Sequence, residues 1–151
     1  MDPKGFTLIE LVMVIAIIAI IATMTIKGQG QIEMARVAAV TEQIKSLRQG
    51  ALAWKENSGK QDYSGVDITT LKNRGLIRED DLKNKWGGDN SLVAAGTGNR
   101  QLVVTSDGIP DVNYCNNVED RVKTYFGKDI NSTACAAGTS GQKATVTFAD
   151  I

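Results

Sequence analysis

The 151-residue chain contains no histidine, only two prolines and two cysteines, and few aromatic side chains. Without histidine it lacks the side chain that most often acts as an acid, a base or a metal ligand near neutral pH. Lysine plus arginine and aspartate plus glutamate each number 17, so the formal net charge is zero. This balance gives no indication of a nucleic-acid partner.

Catalytic motifs are missing as well. The sequence has no Ser/His/Asp set, no phosphate-binding loop and no paired carboxylate motif of the kind that glycosidases use. Two acidic groups are compatible with a cation site, namely Glu79-Asp80-Asp81 and the pair Asp107 and Asp111. Helix starts, caps and turns explain both groups better. We therefore predict a protein that is not an enzyme and that needs no metal and no cofactor.

One apolar segment dominates the chain. Residues 6–26 form a run of 21 residues that carries a single charge, Glu10. A helix of this length is long enough to cross a bilayer. A carboxylate costs about 2.5–3.5 kcal/mol at the bilayer centre and less near the edge. The next cation on the same helix is Lys27, roughly 25 Å away, so an amino group on another molecule is the expected partner of Glu10.

The residues around the start of this segment resemble a known processing signal. Lys4-Gly5-Phe6-Thr7-Leu8-Ile9-Glu10, followed by an apolar helix, is similar to the prepilin signature of type IV pilins and pseudopilins. The resemblance implies cleavage between Gly5 and Phe6 by a prepilin peptidase and N-methylation of Phe6. It also implies that Glu10 meets the Phe6 amine of a neighbouring subunit during assembly. An ordinary signal anchor or a secretory signal peptide is the alternative, and a secretory signal would place small residues after the apolar run.

The chain is predicted to have three parts: a leader at 1–5, a transmembrane and filament-core helix at 6–31, and a headpiece at 32–151. From residue 31 to 57 apolar residues recur every three or four positions, which predicts an amphipathic helix. Its buried face consists of Val37, Val40, Ile44, Leu47, Ala51 and Trp54. Gly28 and Gly30 weaken the helix between the two segments. We interpret them either as a site that loses helicity inside a filament or as a hinge before the headpiece.

The rest of the headpiece predicts an α+β fold, with the long N-terminal helix packed on a small antiparallel sheet and short helices. The predicted elements are a short helix from Asp67 to Gly75, a helical turn at 79–82, strands at 91–95 and 101–105, a turn at Asp107-Gly108, a helix at 111–126, a loop at 128–142 and a strand at 143–148. Cys115 and Cys135 form an even pair, which in an exported headpiece predicts a disulfide that closes a loop of about 20 residues. Two buried free thiols are the alternative.

The headpiece has the order Trp86-Gly-Gly, hairpin, Ile109-Pro110, Cys115 on a helix, a second cysteine and a last strand. This order is similar to that of type IVb pilins, whereas the short leader and Phe6 are more like those of type IVa pilins or pseudopilins. The resemblance implies the major subunit of a type IV pilus. A pseudopilin of a type II secretion system or a minor pilin is the alternative, and a membrane-anchored binding domain is the rival from another class.

The same resemblance implies partners and a location. The precursor would lie in the inner membrane and then enter an extracellular pilus, or fimbrium, that serves cell adhesion or a related task. The implied partners are further copies of the chain in a homopolymer, the prepilin peptidase, the pilus assembly platform and an outer-membrane secretin.

Overall fold

The computed structural model describes residues 7–149, except for the side chains of residues 23–29. The chain divides into two compact units, Met1–Met34 and Ala35–Ile151. Helix α1 extends from Leu8 to Asn57 and includes residues of both units. The leader at 1–5 and Phe6 lie outside the described residues, and the predicted domain limits stay a prediction.

Within the first unit, the side chains of residues 7–22 are all exposed. They are almost entirely aliphatic, and Glu10 is the one charged residue among them. Eleven large aliphatic side chains in this range, from Leu8 to Ile21, are between 48% and 82% exposed. An aliphatic helix with this much free surface has its packing partners elsewhere, because apolar surface in water is unfavourable.

The part of α1 in the second unit has the opposite character. The six residues of the predicted buried face, Val37 to Trp54, are each at most 4% exposed, which confirms the prediction. They form the core together with apolar side chains of the sheet and of the shorter helices. Burial of such side chains contributes roughly 1.5–3 kcal/mol each. The helix ends at Asn57, and Gly59 follows with a φ of +63°, a conformation that favours glycine.

Two shorter helices each begin after an aspartate that caps the first turn. Helix α2 (Ile68–Asn73) follows Asp67, whose carboxylate accepts a hydrogen bond from the Thr70 N–H. Helix α3 (Val112–Phe126) follows Asp111, whose carboxylate accepts one from the Asn113 N–H. A single turn of 3₁₀-helix at Glu79–Asp81 confirms the predicted helical turn. Pro110 lies just before the Asp111 cap, and Val112 at the start of α3 is exposed.

Four antiparallel strands complete the headpiece: β1 (Asn90–Ala95), β2 (Gln101–Ile109), β3 (Ile130–Ala137) and β4 (Gln142–Phe148). Their order in the sheet is β1-β2-β4-β3. The buried face carries Leu92, Leu102, Val104, Ala144, Val146 and Phe148, which pack into the core. The predicted α+β class is therefore confirmed.

Two elements differ from the prediction. Residues 128–142 were expected to form a loop, but most of them form β3 and the start of β4. Asp107 and Gly108 were expected to form a turn, but they form a bulge within β2, opposite the single residue Lys143. Gly108 has a φ of +71°, so the bulge uses a backbone conformation that glycine adopts without strain. In both places pairing with β4 decides the structure.

Candidate functional site

The first turn of α1 contains a reciprocal cap. The N–H and the hydroxyl of Thr7 each donate to Oε2 of Glu10 at 2.8 Å. The Glu10 N–H in turn points to the Thr7 hydroxyl oxygen at 3.3 Å. This is the capping box, in which a threonine and a glutamate three residues later satisfy free N–H groups of the first turn. A carboxylate here also lies at the positive end of the helix dipole.

Glu10 therefore has a partner within its own helix, Thr7, in addition to the cation that its charge predicts. The spacing Thr7-x-x-Glu10 in the sequence is the signal for this contact. The cap uses Oε2, and Oε1 makes no hydrogen bond with any residue that the structure describes. The geometry thus leaves one carboxylate oxygen of Glu10 for a further partner.

The other residues predicted for processing and flexibility are placed only in part. Gly5 and Phe6 lie outside the described residues. Gly28 and Gly30 both lie within α1, which is helical there. A side chain added at Gly30 would meet no atom within 4 Å, so packing in the free chain does not require glycine at this position. Their role in flexibility stays a prediction.

The segment predicted to cross a membrane extends from Phe6 to Ile26, and both of its ends lie outside the residues whose side chains are described. Among the described residues, no helix reaches the length and apolarity required to span a bilayer.

A disulfide joins Cys115 and Cys135, as predicted, with their Cα atoms 6.0 Å apart. Cys115 is fully buried on α3, and Cys135 lies on β3, so the bond ties a helix to an edge strand of the sheet. Disulfides persist in oxidising compartments, which agrees with a headpiece outside the cytoplasm.

Buried polar contacts fix the segment before β1 against α1. The Gln43 side chain donates to the carbonyl oxygens of Asp80 and Lys83, at 2.6 and 2.9 Å. The Ser46 hydroxyl donates to the fully buried carboxylate of Asp81 at 2.7 Å. These partners are 35 to 40 residues apart in the chain, so periodicity could not predict them. Among the described residues, no group of three or more acidic, histidine or cysteine side chains is arranged to hold a metal ion.

A partly buried ion pair fixes α1 to the C-terminal end of α3. The Arg48 guanidinium lies 2.9 Å from the Asp129 carboxylate. It also lies about 5 Å from the ring centres of Phe126 and Phe148, within range of cation–π attraction. The Arg48 side chain is only 11% exposed, so the ion pair is partly shielded from water. This cluster holds α1, α3 and β4 together.

Two further carboxylates, those of Asp107 and Glu119, accept hydrogen bonds from β3 and from the turn that follows it. Asp107 accepts hydrogen bonds from the N–H groups of Thr139 and Gly108, and these bonds lower its pKa. Glu119 on α3 pairs with Lys123 and accepts a hydrogen bond from the Thr133 hydroxyl of β3, and both contacts lower the pKa of Glu119. Asp107 thus anchors the β3–β4 turn, and Glu119 anchors β3 itself.

Comparison with known proteins supports one class. A family model described as the prokaryotic N-terminal methylation motif matches residues 1–26. With the α+β fold, this motif supports a type IV pilin-like prepilin. The motif supports membership of the type IV pilin or pseudopilin class. It also favours a structural protein over an enzyme and implies processing by a prepilin peptidase. No curated protein matches the chain, and no solved structure does.

Proposed function

We propose that the chain is the major subunit of a type IV pilus and that it polymerises through its N-terminal helix. The observation that carries the proposal is the exposed aliphatic surface of residues 8–22, interrupted only by Glu10. Exposed apolar area costs roughly 25 cal/mol per Å² in water. The lipid of the inner membrane covers this surface before assembly, and the helices of other copies cover it afterwards.

In this proposal Glu10 acts twice. Cleavage between Gly5 and Phe6 creates a Phe6 amine, which is then N-methylated, one residue before the capping Thr7. The cap holds the Glu10 carboxylate through Oε2, and Oε1 accepts the Phe6 amine of a neighbouring copy. A charge left unpaired in an apolar filament core is costly, so only copies added in register are stabilised.

The remaining parts of the chain follow from this mechanism. The precursor lies in the inner membrane, where the prepilin peptidase removes residues 1–5. The pilus assembly platform then moves the subunit into the growing homopolymer, which leaves the cell through an outer-membrane secretin. Gly28 and Gly30 allow α1 to adapt within the filament. The headpiece, 32–151, forms the outer surface and makes any adhesive contacts.

The first test is a pair of substitutions at Glu10. Glu10→Ala removes the charge and the cap, whereas Glu10→Gln removes the charge but retains a side chain that can complete the capping box. We expect both variants to insert into the inner membrane at the wild-type level. The yield of sheared extracellular filaments falls at least about tenfold for both, which corresponds to roughly 1.4 kcal/mol. A normal filament yield from Glu10→Gln would show that the charge has no part in assembly.

A further inference from the structure

Strand β3 has an open edge. It lies at the end of the sheet order β1-β2-β4-β3, so only one of its two sides is paired. Among the described residues, no backbone hydrogen bond joins residues 131–137 to any segment except β4. About half of the N–H and C=O groups of this strand therefore face outward without a protein partner, which is the arrangement that pairs with a further strand.

The open edge also lacks the usual protection against pairing. Natural edge strands carry charges or proline, or are covered by another element. Residues 130–137, Ile-Asn-Ser-Thr-Ala-Cys-Ala-Ala, contain no charge and no proline. Their outward-facing side chains are small and exposed, namely Ser132, Ala134 and Ala136. One irregularity in register, near Ile130, leaves the stretch from Ser132 to Ala137 in regular pairing with β4.

The strand is also held in place. The disulfide from Cys135 to Cys115 and the hydrogen bond from Thr133 to Glu119 both tie β3 to α3. A strand that is already ordered loses little conformational freedom when it pairs. The opposite edge of the sheet, formed by β1, is partly paired already, because the Asn90 N–H donates to the Leu82 carbonyl.

We propose that β3 pairs with β3 of a second copy of this chain, antiparallel and centred on Ala134. This register pairs 131 with 137, 132 with 136 and 133 with 135, so it uses the whole open strand. No charged side chain opposes its own copy across the pair, and like charges placed there would oppose pairing. A second copy is the occupant because the edge is self-complementary and offers no charge to attract a charged partner.

The symmetry of this contact determines what it joins. A contact of a surface with itself requires a two-fold axis, whereas a filament grows by head-to-tail contacts between copies with the same orientation. Pairing of β3 therefore links copies that belong to two different filaments. This consequence, the lateral association of filaments, rests on the proposed function. The pairing of two copies does not.

The pairing is tested on the purified full chain in non-ionic detergent, by sedimentation equilibrium. Ala134→Lys places identical charges opposite each other at the centre of the pair. Ser91→Lys is the matched control, because Ser91 is exposed, lies on the same face of the sheet and belongs to the other edge strand. We expect the Kd for self-association to rise about fivefold or more for Ala134→Lys and to stay at the wild-type value for Ser91→Lys. Equal values for the two variants would overturn the proposal.

Two further measurements test the pairing, and the second of them uses the wild-type chain alone. A mixture of the Ala134→Lys and Ala134→Glu chains should form mixed pairs more readily than either chain pairs with itself. In the wild-type chain, the amides of residues 131–137 should exchange with deuterium more slowly as the protein concentration rises. Exchange at these amides that is independent of concentration would contradict the pairing.

The yield and the lateral association of filaments distinguish this proposal from the proposed function. Ala134→Lys should leave the filament yield unchanged and convert laterally associated filaments into single ones in electron micrographs. Filaments that associate as strongly as the wild type would contradict pairing through β3 and leave the pilus proposal intact. Absence of wild-type filaments would contradict the pilus proposal, and sedimentation would still decide whether two copies pair.

Discussion

At the scale of single residues, the Glu10 carboxylate accepts two hydrogen bonds from Thr7 through one of its oxygens. A lone carboxylate in an aliphatic run implies a partner, and this inference needed only the composition of residues 6–26. The partner within the helix, Thr7, was missed although the spacing of a capping box was present. The contacts of Gln43 and Asp81 could not be predicted, because their partners come together only when distant segments pack.

The carboxylates at the edge of the sheet predict an acid-sensitive headpiece. Hydrogen bonds lower the folded-state pKa of Asp107, and contacts with Lys123 and Thr133 lower that of Glu119. Between the folded and the unfolded pKa the unfolded chain binds more protons than the native one, so stability rises with pH there. The contribution is complete above the unfolded values, about 4, and is lost as the pH falls through the folded values.

We therefore expect the free energy of unfolding to decrease from pH 6 to pH 3, and to decrease less in Asp107→Asn. Urea unfolding of the full chain in detergent, followed by tryptophan fluorescence, measures this, because the buried Trp54 reports on the core. Asp80→Asn is the control, since the Asp80 carboxylate is exposed and makes no hydrogen bond with the described residues. An Asp107→Asn chain with the pH dependence of the wild type would disprove the role of this carboxylate.

At the scale of elements, the sequence predicts a helix correctly where the helix has a capping residue or a regular spacing of apolar residues. The helix between Asp67 and Gly75, the helix at 111–126 and the buried face of α1 were predicted from the sequence and are confirmed. Strand β3 was missed because its small residues form no clear alternation, and its structure depends on β4 and on a disulfide. The bulge in β2 was taken for a turn because Asp-Gly is typical of both.

The disulfide gives a prediction at this scale. Its cysteines are 20 residues apart, and a loop of that size is worth about 3 kcal/mol in the chain-entropy model. We expect the Cys115→Ala/Cys135→Ala chain to lose roughly this much free energy of unfolding in urea. Reduction of the wild-type chain should produce a similar loss, because it breaks the bond without removing side chains. Retained stability in the reduced wild type would mean that packing alone holds β3 on α3.

At the scale of the whole molecule, the two units have opposite surfaces. Residues 7–22 expose their aliphatic side chains, whereas the described residues of the Ala35–Ile151 unit include 21 buried apolar side chains that form a core. Among the residues that the structure describes, none of the first unit is buried, so this part of the chain shows no core of its own. The polymerisation that we propose would cover its aliphatic surface with the helices of other copies. The contrast between an aliphatic run and a mixed sequence is visible in composition alone, whereas the pairing of the strands depends on the folded headpiece.

The central claim is tested most directly by mass spectrometry of the N-terminus of this protein in the sheared extracellular fraction. The account predicts an abundant chain that begins at N-methylated Phe6. A processed chain found only in membranes would favour a pseudopilin or a minor pilin over the major pilin. An uncleaved chain that begins at Met1 would contradict the prepilin interpretation and leave an ordinary membrane-anchored domain.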